Sequence, residues 1–189
     1  MYEYYSSIPN GFEMDWKHPD SETKMLKAQH PDFEMWSGGV HAGSGVSCAD
    51  CHIPYMKVDG QKYTSHWVTS PMKHGKEACR TCHTQSDQWL LDRVKSIQNS
   101  VWEMQHTAGQ TVARAHQAVG KASKSARADR AQLDKARELI RKAQWYWDYV
   151  AAENSMGFHN PVLALNTLGR SVDLAHQAIA AAERAAGGR

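Results

Sequence analysis

Apolar residues recur through the second half of the chain at helical spacing. Leu90, Val94, Ile97, Val101, Met104, Ala108, Val112, Ala115 and Val119 follow a 4-3-4-3 rhythm, which predicts one apolar stripe on a helix over about 86–120. At 1.5 Å per residue that helix is about 50 Å long. Leu133, Ala136, Ile140, Ala143, Trp147 and Val150 repeat the pattern, and so do Leu165, Leu168, Val172, Ala175, Ile179 and Ala182. The stretch from Gly120 to Ala128 separates the first helix from the second, and Ser155 to Pro161 separates the second from the third. Pro161 suits a first helical position. The front of the chain lacks this order. It is rich in Gly, Pro, His and aromatics, with turn signals at Pro9-Asn10-Gly11, His18-Pro19-Asp20 and Ser37-Gly38-Gly39. Helical periodicity there lasts a turn or two, around 22–29 and 31–37, and Val58 to Tyr63 reads as the turn of a small hairpin. The expected architecture is mainly α: a loop-rich segment over 1–85, then three long helices over 86–189.

What fills the loop-rich segment is indicated by two copies of one pattern, Cys48-Ala49-Asp50-Cys51-His52 and Cys79-Arg80-Thr81-Cys82-His83. Each is C-x-x-C-H, the attachment signature of a c-type haem. The two thiols can bond the porphyrin vinyl groups, and the histidine that follows can bind the iron. All four cysteines are used. Zinc or a thiol redox pair are the alternatives. Against zinc, the interval from Cys51 to Cys79 exceeds the roughly 15–20 residues of a zinc ribbon, and a histidine after each pair has no role there. Large flat porphyrins would replace much of an ordinary side-chain core.

With 22 basic and 20 acidic residues, the charge argues against a nucleic-acid surface. No apolar run approaches a membrane span. The eleven histidines fit several axial ligands, since two irons bound on both faces need four. With His52 and His83 taken as proximal, four others stand out. His41 lies in a Gly-rich loop shortly before Cys48, His66 sits between the haem motifs, and His159 occupies the second helix break. His30 precedes Pro31, which stiffens its turn. Spacing alone does not assign these four to particular irons. His18, His74, His106, His116 and His176 get only surface or structural roles.

Lys27-Ala28-Gln29-His30-Pro31, then Gly39-Val40-His41, then Cys48 through Tyr55, resemble cytochrome c nitrite reductase, the pentahaem ammonia-forming enzyme. Tyr63-Thr64-Ser65-His66, the second haem motif and Ala143 to Asp148 continue the likeness, which covers less than half of the family's length. The fold this implies is a loop-rich multihaem cytochrome c segment followed by long helices. The resemblance makes His52 and His83 proximal ligands of the fourth and fifth haems, His159 distal on the fourth and His41 distal on the fifth. It makes His66 a ligand of a haem attached elsewhere and His30 the catalytic histidine that meets nitrite. It assigns to calcium the backbone oxygen of Lys27 and the amide oxygen of Gln29, hard donors of the kind Ca²⁺ prefers.

The family attaches its catalytic haem through C-x-x-C-K, which is absent from this sequence. The resemblance therefore implies the C-terminal part of a periplasmic reductase that converts nitrite to ammonia with six electrons. This part would carry two relay haems c out of five and be inactive alone. The N-terminus shows no secretory signal, which fits either a removed signal or the back part of a longer protein. Implied partners are nitrite, an electron-donor cytochrome or quinol-dehydrogenase module, the remainder of the enzyme, and a second copy joined through the long helices. The other reading is a free-standing or split-subunit dihaem electron-transfer cytochrome c.

Overall fold

A computed structural model of the chain describes residues 2–8 and 13–187, with Tyr5 described by its backbone alone. The expected turn at Pro9-Asn10-Gly11 lies outside the described residues. The protein is mainly α, with 62% of residues helical and 7% in strands. Three long helices form its body: α6 (Asp87–Ser123), α7 (Arg130–Ala151) and α8 (Pro161–Ala185). Each begins at a side chain that takes N–H groups left unpaired by the first turn. Ser86 accepts from Trp89 N, Asp129 from Ala131 N and Gln132 N, and Asn160 from Leu163 N. Pro161 stands at the start of α8 as expected.

Two expectations for the helices need correction. First, α6 does not stop at Gly120 but continues to Ser123. Gly120 serves packing there, since a Cβ would sit 2.5 Å from the Asp20 carbonyl oxygen. Second, the core face of α8 is rotated from the expected stripe. Leu165 is exposed, whereas Ala164, Leu168, Ser171, Ala175, Ala178 and Ala182 are buried. Small side chains let α8 approach α7 closely, and Ser171 Oγ donates to the Ala143 carbonyl at 2.7 Å. One core cluster joins Val112, Ala115, Val119, Ile140, Ala143 and Ala175; a second joins Val101, Trp145, Tyr149 and Leu168 to Tyr2, Leu26, Ala28 and Met35.

The front segment holds only short elements. Helix α1 (Tyr2–Ser7) lies against α7, with Tyr2 edge-on to Trp145 at 5.6 Å. Strands β1 (Trp16–Lys17) and β2 (Lys24–Met25) pair antiparallel. The turn of helix expected over 22–29 is therefore absent. Distant carboxylates take the N–H groups a helix would need: Asp15 accepts from Lys27 N at 2.7 Å, and Asp148 from Ala28 N at 2.8 Å. Next come α2 (Asp32–Ser37), α3 (Val40–Gly43) and α4 (Cys48–His52). The expected hairpin follows as β3 (Tyr55–Val58) and β4 (Gln61–Thr64), turning on Asp59 and Gly60 at φ of 51° and 81°. A 3₁₀ turn (Pro71–His74) and α5 (Gly75–Ala78) lead to the second cysteine motif.

A buried polar seam joins the β1–β2 segment to the helices. His116 on α6 contacts Ser21 Oγ through Nδ1 at 2.8 Å and Gln144 Oε1 through Nε2 at 2.6 Å. His18 stacks flat on it, ring centroids 3.6 Å apart and planes within 5°. Burial, and then the neighbouring His18, press the pKa of His116 down to about 4.

Candidate haem sites and the His30 loop

Each cysteine motif is wound into a helical turn, which brings side chains at i, i+3 and i+4 to one face. In α4 that face carries Cys48, Cys51 and His52. Ser47 starts the turn with a reciprocal cap: its Oγ accepts from Asp50 N, and Asp50 Oδ2 accepts from Ser47 N at 2.7 Å. In the second motif His83 N and Cys82 N both donate to the Cys79 carbonyl. The four thiols are free. Burial raises the pKa of Cys51, and Cys79, Asp50, Cys82 and Cys48 nearby add to it. A tetrahedral zinc site would hold its sulfurs about 3.8 Å apart. Among the described residues no three cysteine or histidine ligand atoms lie within 4.8 Å of one another.

The histidines gather in facing pairs. His52 and His159 have ring centroids 6.4 Å apart, and His41 and His83 6.3 Å apart, in each case with the rings steeply inclined. With a metal–nitrogen bond of about 2.1 Å, two imidazoles on opposite sides of one ion have centroids about 6.4 Å apart. Both separations therefore match a six-coordinate iron held from two sides, and each pair contains the histidine of one C-x-x-C-H motif. Burial, then His83 and His159 nearby, hold the His41 pKa below its ordinary value, which favours the neutral ring that a metal needs. The two pairs meet at Gly39, where a Cβ would lie 2.1 Å from the His159 carbonyl oxygen.

In the first pair each Nδ1 has an oxygen beside it. His52 Nδ1 lies 2.9 Å from the Thr69 carbonyl, and His159 Nδ1 lies 2.6 Å from Glu153 Oε1. Both rings thus turn Nε2 free. Glu153 is only 3% exposed. Its carboxylate also accepts from Ser155 N and Gly157 N, each at 2.9 Å. Burial alone would raise its pKa, but His159 and these N–H donors outweigh it and hold the carboxyl below its usual range. The loop closes on Gly157 at φ 81°, where a Cβ would strike Val101 at 2.6 Å.

The third feature is the loop between β2 and α2. Lys27, Gln29 and His30 are exposed there, and His30 has a φ of 47°, rare for a residue with a side chain. Asp15 and Asp148 pin this loop through the N–H groups of Lys27 and Ala28. His66 is exposed beside Trp67, and among the described residues its ring contacts neither pair. Sequence reasoning missed Glu153, Thr69, Asp15 and Asp148. An acidic residue placed shortly before His159 in a helix break was a usable signal for Glu153; nothing marked the Thr69 carbonyl.

Fold and site together define a c-type cytochrome: short loops bearing two C-x-x-C-H turns, packed against long helices. The chain belongs to the cytochrome c552 family, whose sequence profile matches residues 1–188. It is 44% identical over 193 residues to the cytochrome c nitrite reductase subunit NrfA of Nitratidesulfovibrio vulgaris, a match covering 95% of this chain and 37% of that protein. It is 41% identical to cytochrome c-552 of Desulfotalea psychrophila, over 92% of this chain and 33% of that one. The solved cytochrome c nitrite reductase of Desulfovibrio desulfuricans, described with two calcium sites in its catalytic subunit, superposes with a TM-score of 0.87 at 43% identity. That superposition covers 92% of this chain and 37% of the other. The outer cell wall cytochrome OcwA shares the fold at a TM-score of 0.60 and 22% identity, over 79% of this chain and 30% of that one. The chain thus spans about a third of the length of these relatives.

Proposed function

We propose that this chain is the C-terminal part of a periplasmic ammonia-forming nitrite reductase, carrying two relay haems c and the histidine that meets nitrite. The observation that carries the reading is the pair of facing histidine couples, each seated on its own C-x-x-C-H turn. In this reading Cys48 and Cys51 attach one haem, with His52 and His159 on its iron. Cys79 and Cys82 attach the other, with His83 and His41. Held by two histidines each, these haems would supply one-electron couples suited to relay and not to substrate. Segment 1–85 is the haem-binding part, and 86–189 forms the helical body.

His30 can hydrogen-bond nitrite oxygen and donate a proton as an N–O bond breaks, since imidazole titrates near neutrality. Asp15 and Asp148 hold its loop. The Lys27 carbonyl and the Gln29 amide supply two hard oxygens to calcium. Ca²⁺ takes 6–8, so the remaining donors come from water and from the rest of the enzyme. His66, exposed, reaches a haem attached to that same remainder. An electron-donor cytochrome or a quinol-dehydrogenase module refills the relay. A second copy docks along α6, where Trp102, 55% exposed, stacks on His106 beside Trp147.

The test is expression in a haem-attaching host, of this chain and of the full-length protein. The chain alone is expected to bind two haems, show an all-low-spin spectrum and form no ammonia. The full-length protein is expected to reduce nitrite, and His30→Ala to lower its kcat by about 10²–10⁴-fold. Ammonia formation by the chain alone, or full activity in His30→Ala, overturns the reading.

A further inference from the structure

The two histidine couples are not equivalent. In the first, the imidazole of His159 rests against a buried carboxylate, Glu153, at 2.6 Å. Its partner His52 leans on a neutral carbonyl, that of Thr69. In the second couple neither His41 nor His83 has a carboxylate or carbonyl on its ring among the described residues. We infer that Glu153 tunes the haem of the first motif, giving His159 partial imidazolate character and making that haem the lower-potential member of the pair. The inference rests on the proposal that His52 and His159 share one iron.

The chemistry follows from the contact. With Nε2 on the metal, the remaining ring proton sits on Nδ1, the nitrogen that lies 2.6 Å from Glu153 Oε1. A carboxylate there draws the proton toward itself and makes the ring a stronger donor to the metal. Stronger donation favours Fe(III) over Fe(II) and lowers the potential of the one-electron couple. Glu153 is fixed for this task. Ser155 N and Gly157 N hold its two oxygens, Ser155 Oγ accepts from His159 N at 2.8 Å, and Gly157 is locked against Val101. Asp32, the other acid in this cluster, is half-buried and is taken up by Asn154 N at 3.0 Å. A carboxylate serving only to close the loop would need its two N–H bonds and nothing more.

The test is potentiometric titration of the full-length, haem-loaded protein with Glu153→Gln and Glu153→Asp. In Glu153→Gln one haem's midpoint is expected to rise by about 59 mV, a tenfold change in its Fe(III)/Fe(II) ratio. The other haems stay in place, and Glu153→Asp returns most of the shift. Unmoved midpoints, or all haems shifting together, overturn the inference. Should Glu153→Gln lose its low-spin signal, the wild type decides by near-infrared magnetic circular dichroism. One charge-transfer band at higher energy than those of the other bis-imidazole haems supports the tuning; coincident bands overturn it. A wild type that binds both haems but leaves nitrite unreduced sinks the proposed function while the midpoint comparison still stands.

Discussion

Along α6, α7 and α8 the chain buries a continuous core of its own, with Ile140, Ala143, Leu168 and Ala175 all fully buried, and leaves Trp89, Trp102, Val162 and Leu165 exposed. Between Tyr55 and Met72 it leaves Tyr55, Val58, Tyr63, Trp67, Val68 and Met72 exposed. Strands β3 and β4 are as regular in backbone as the helices, so there the difference lies in what the side chains meet. Helices of 22 to 37 residues supply enough surface to bury one another. Elements of four to six residues do not. A contiguous exposed apolar patch marks a surface made to be covered. Flat porphyrins and the rest of a longer enzyme are the covers that the proposed function supplies. The helical region is a platform with a core of its own, and the front region is a holder.

The largest test removes part of what the holder holds. Replacing Cys48 and Cys51 together by Ala is expected to delete one covalent haem, read as the loss of one haem mass. Limited proteolysis should then cut within 40–80 while α6–α8 survive as a resistant core. Equal resistance with and without the haem would mean that the front segment folds on its own side chains, and the contrast between the regions would collapse.

The seam between the regions offers a second test, smaller and graded. His116 has a pKa near 4 in the folded protein, against 6.5 ordinarily. As pH falls from 6.5 toward 4, the unfolded chain takes up a proton that the folded one refuses, so stability falls with pH. Over the whole window the loss is about 3 kcal/mol. Burial also lowers the pKa of His18, which acts in the same sense. Urea midpoints at pH 7, 5.5 and 4 should decline in the wild type and flatten in His116→Gln. A profile that does not change in the variant would remove this seam as the joint.

The same contrast decides what could be read from sequence. The helices were legible because packing against neighbours has a period, and that period survives in Val101, Ala108, Val112, Ala115 and Val119. It failed at Leu165, since alanines set the close face of α8 and alanine patterns carry little amplitude. It failed at Gly120, where a backbone approach by Asp20 keeps glycine inside a helix. In the front segment the cysteine motifs were legible because covalent chemistry demands fixed spacing, and the structure sets His41 and His159 opposite the motif histidines. Thr69 was not legible, because any residue offers a carbonyl. Asp15 and Asp148 escaped because their partners are backbone N–H groups far away in the chain.

The smallest effect concerns α4, and it asks which comes first, the turn or the haem. An N-cap serine contributes about 1 kcal/mol to its helix, and Ser47 makes a full reciprocal cap with Asp50. A five-residue helix is far below the length that stands alone in water. The cap can therefore bias the turn before attachment, but two thioether bonds and an iron ligand would override it afterwards. Ser47→Ala is accordingly expected to leave the thermal midpoint and spectrum of the haem-loaded protein unchanged, while lowering the fraction of chains that acquire the first haem. A lower thermal midpoint in the loaded protein, with attachment unaffected, would show that the holder keeps its own shape and that the cap, not the haem, maintains this turn.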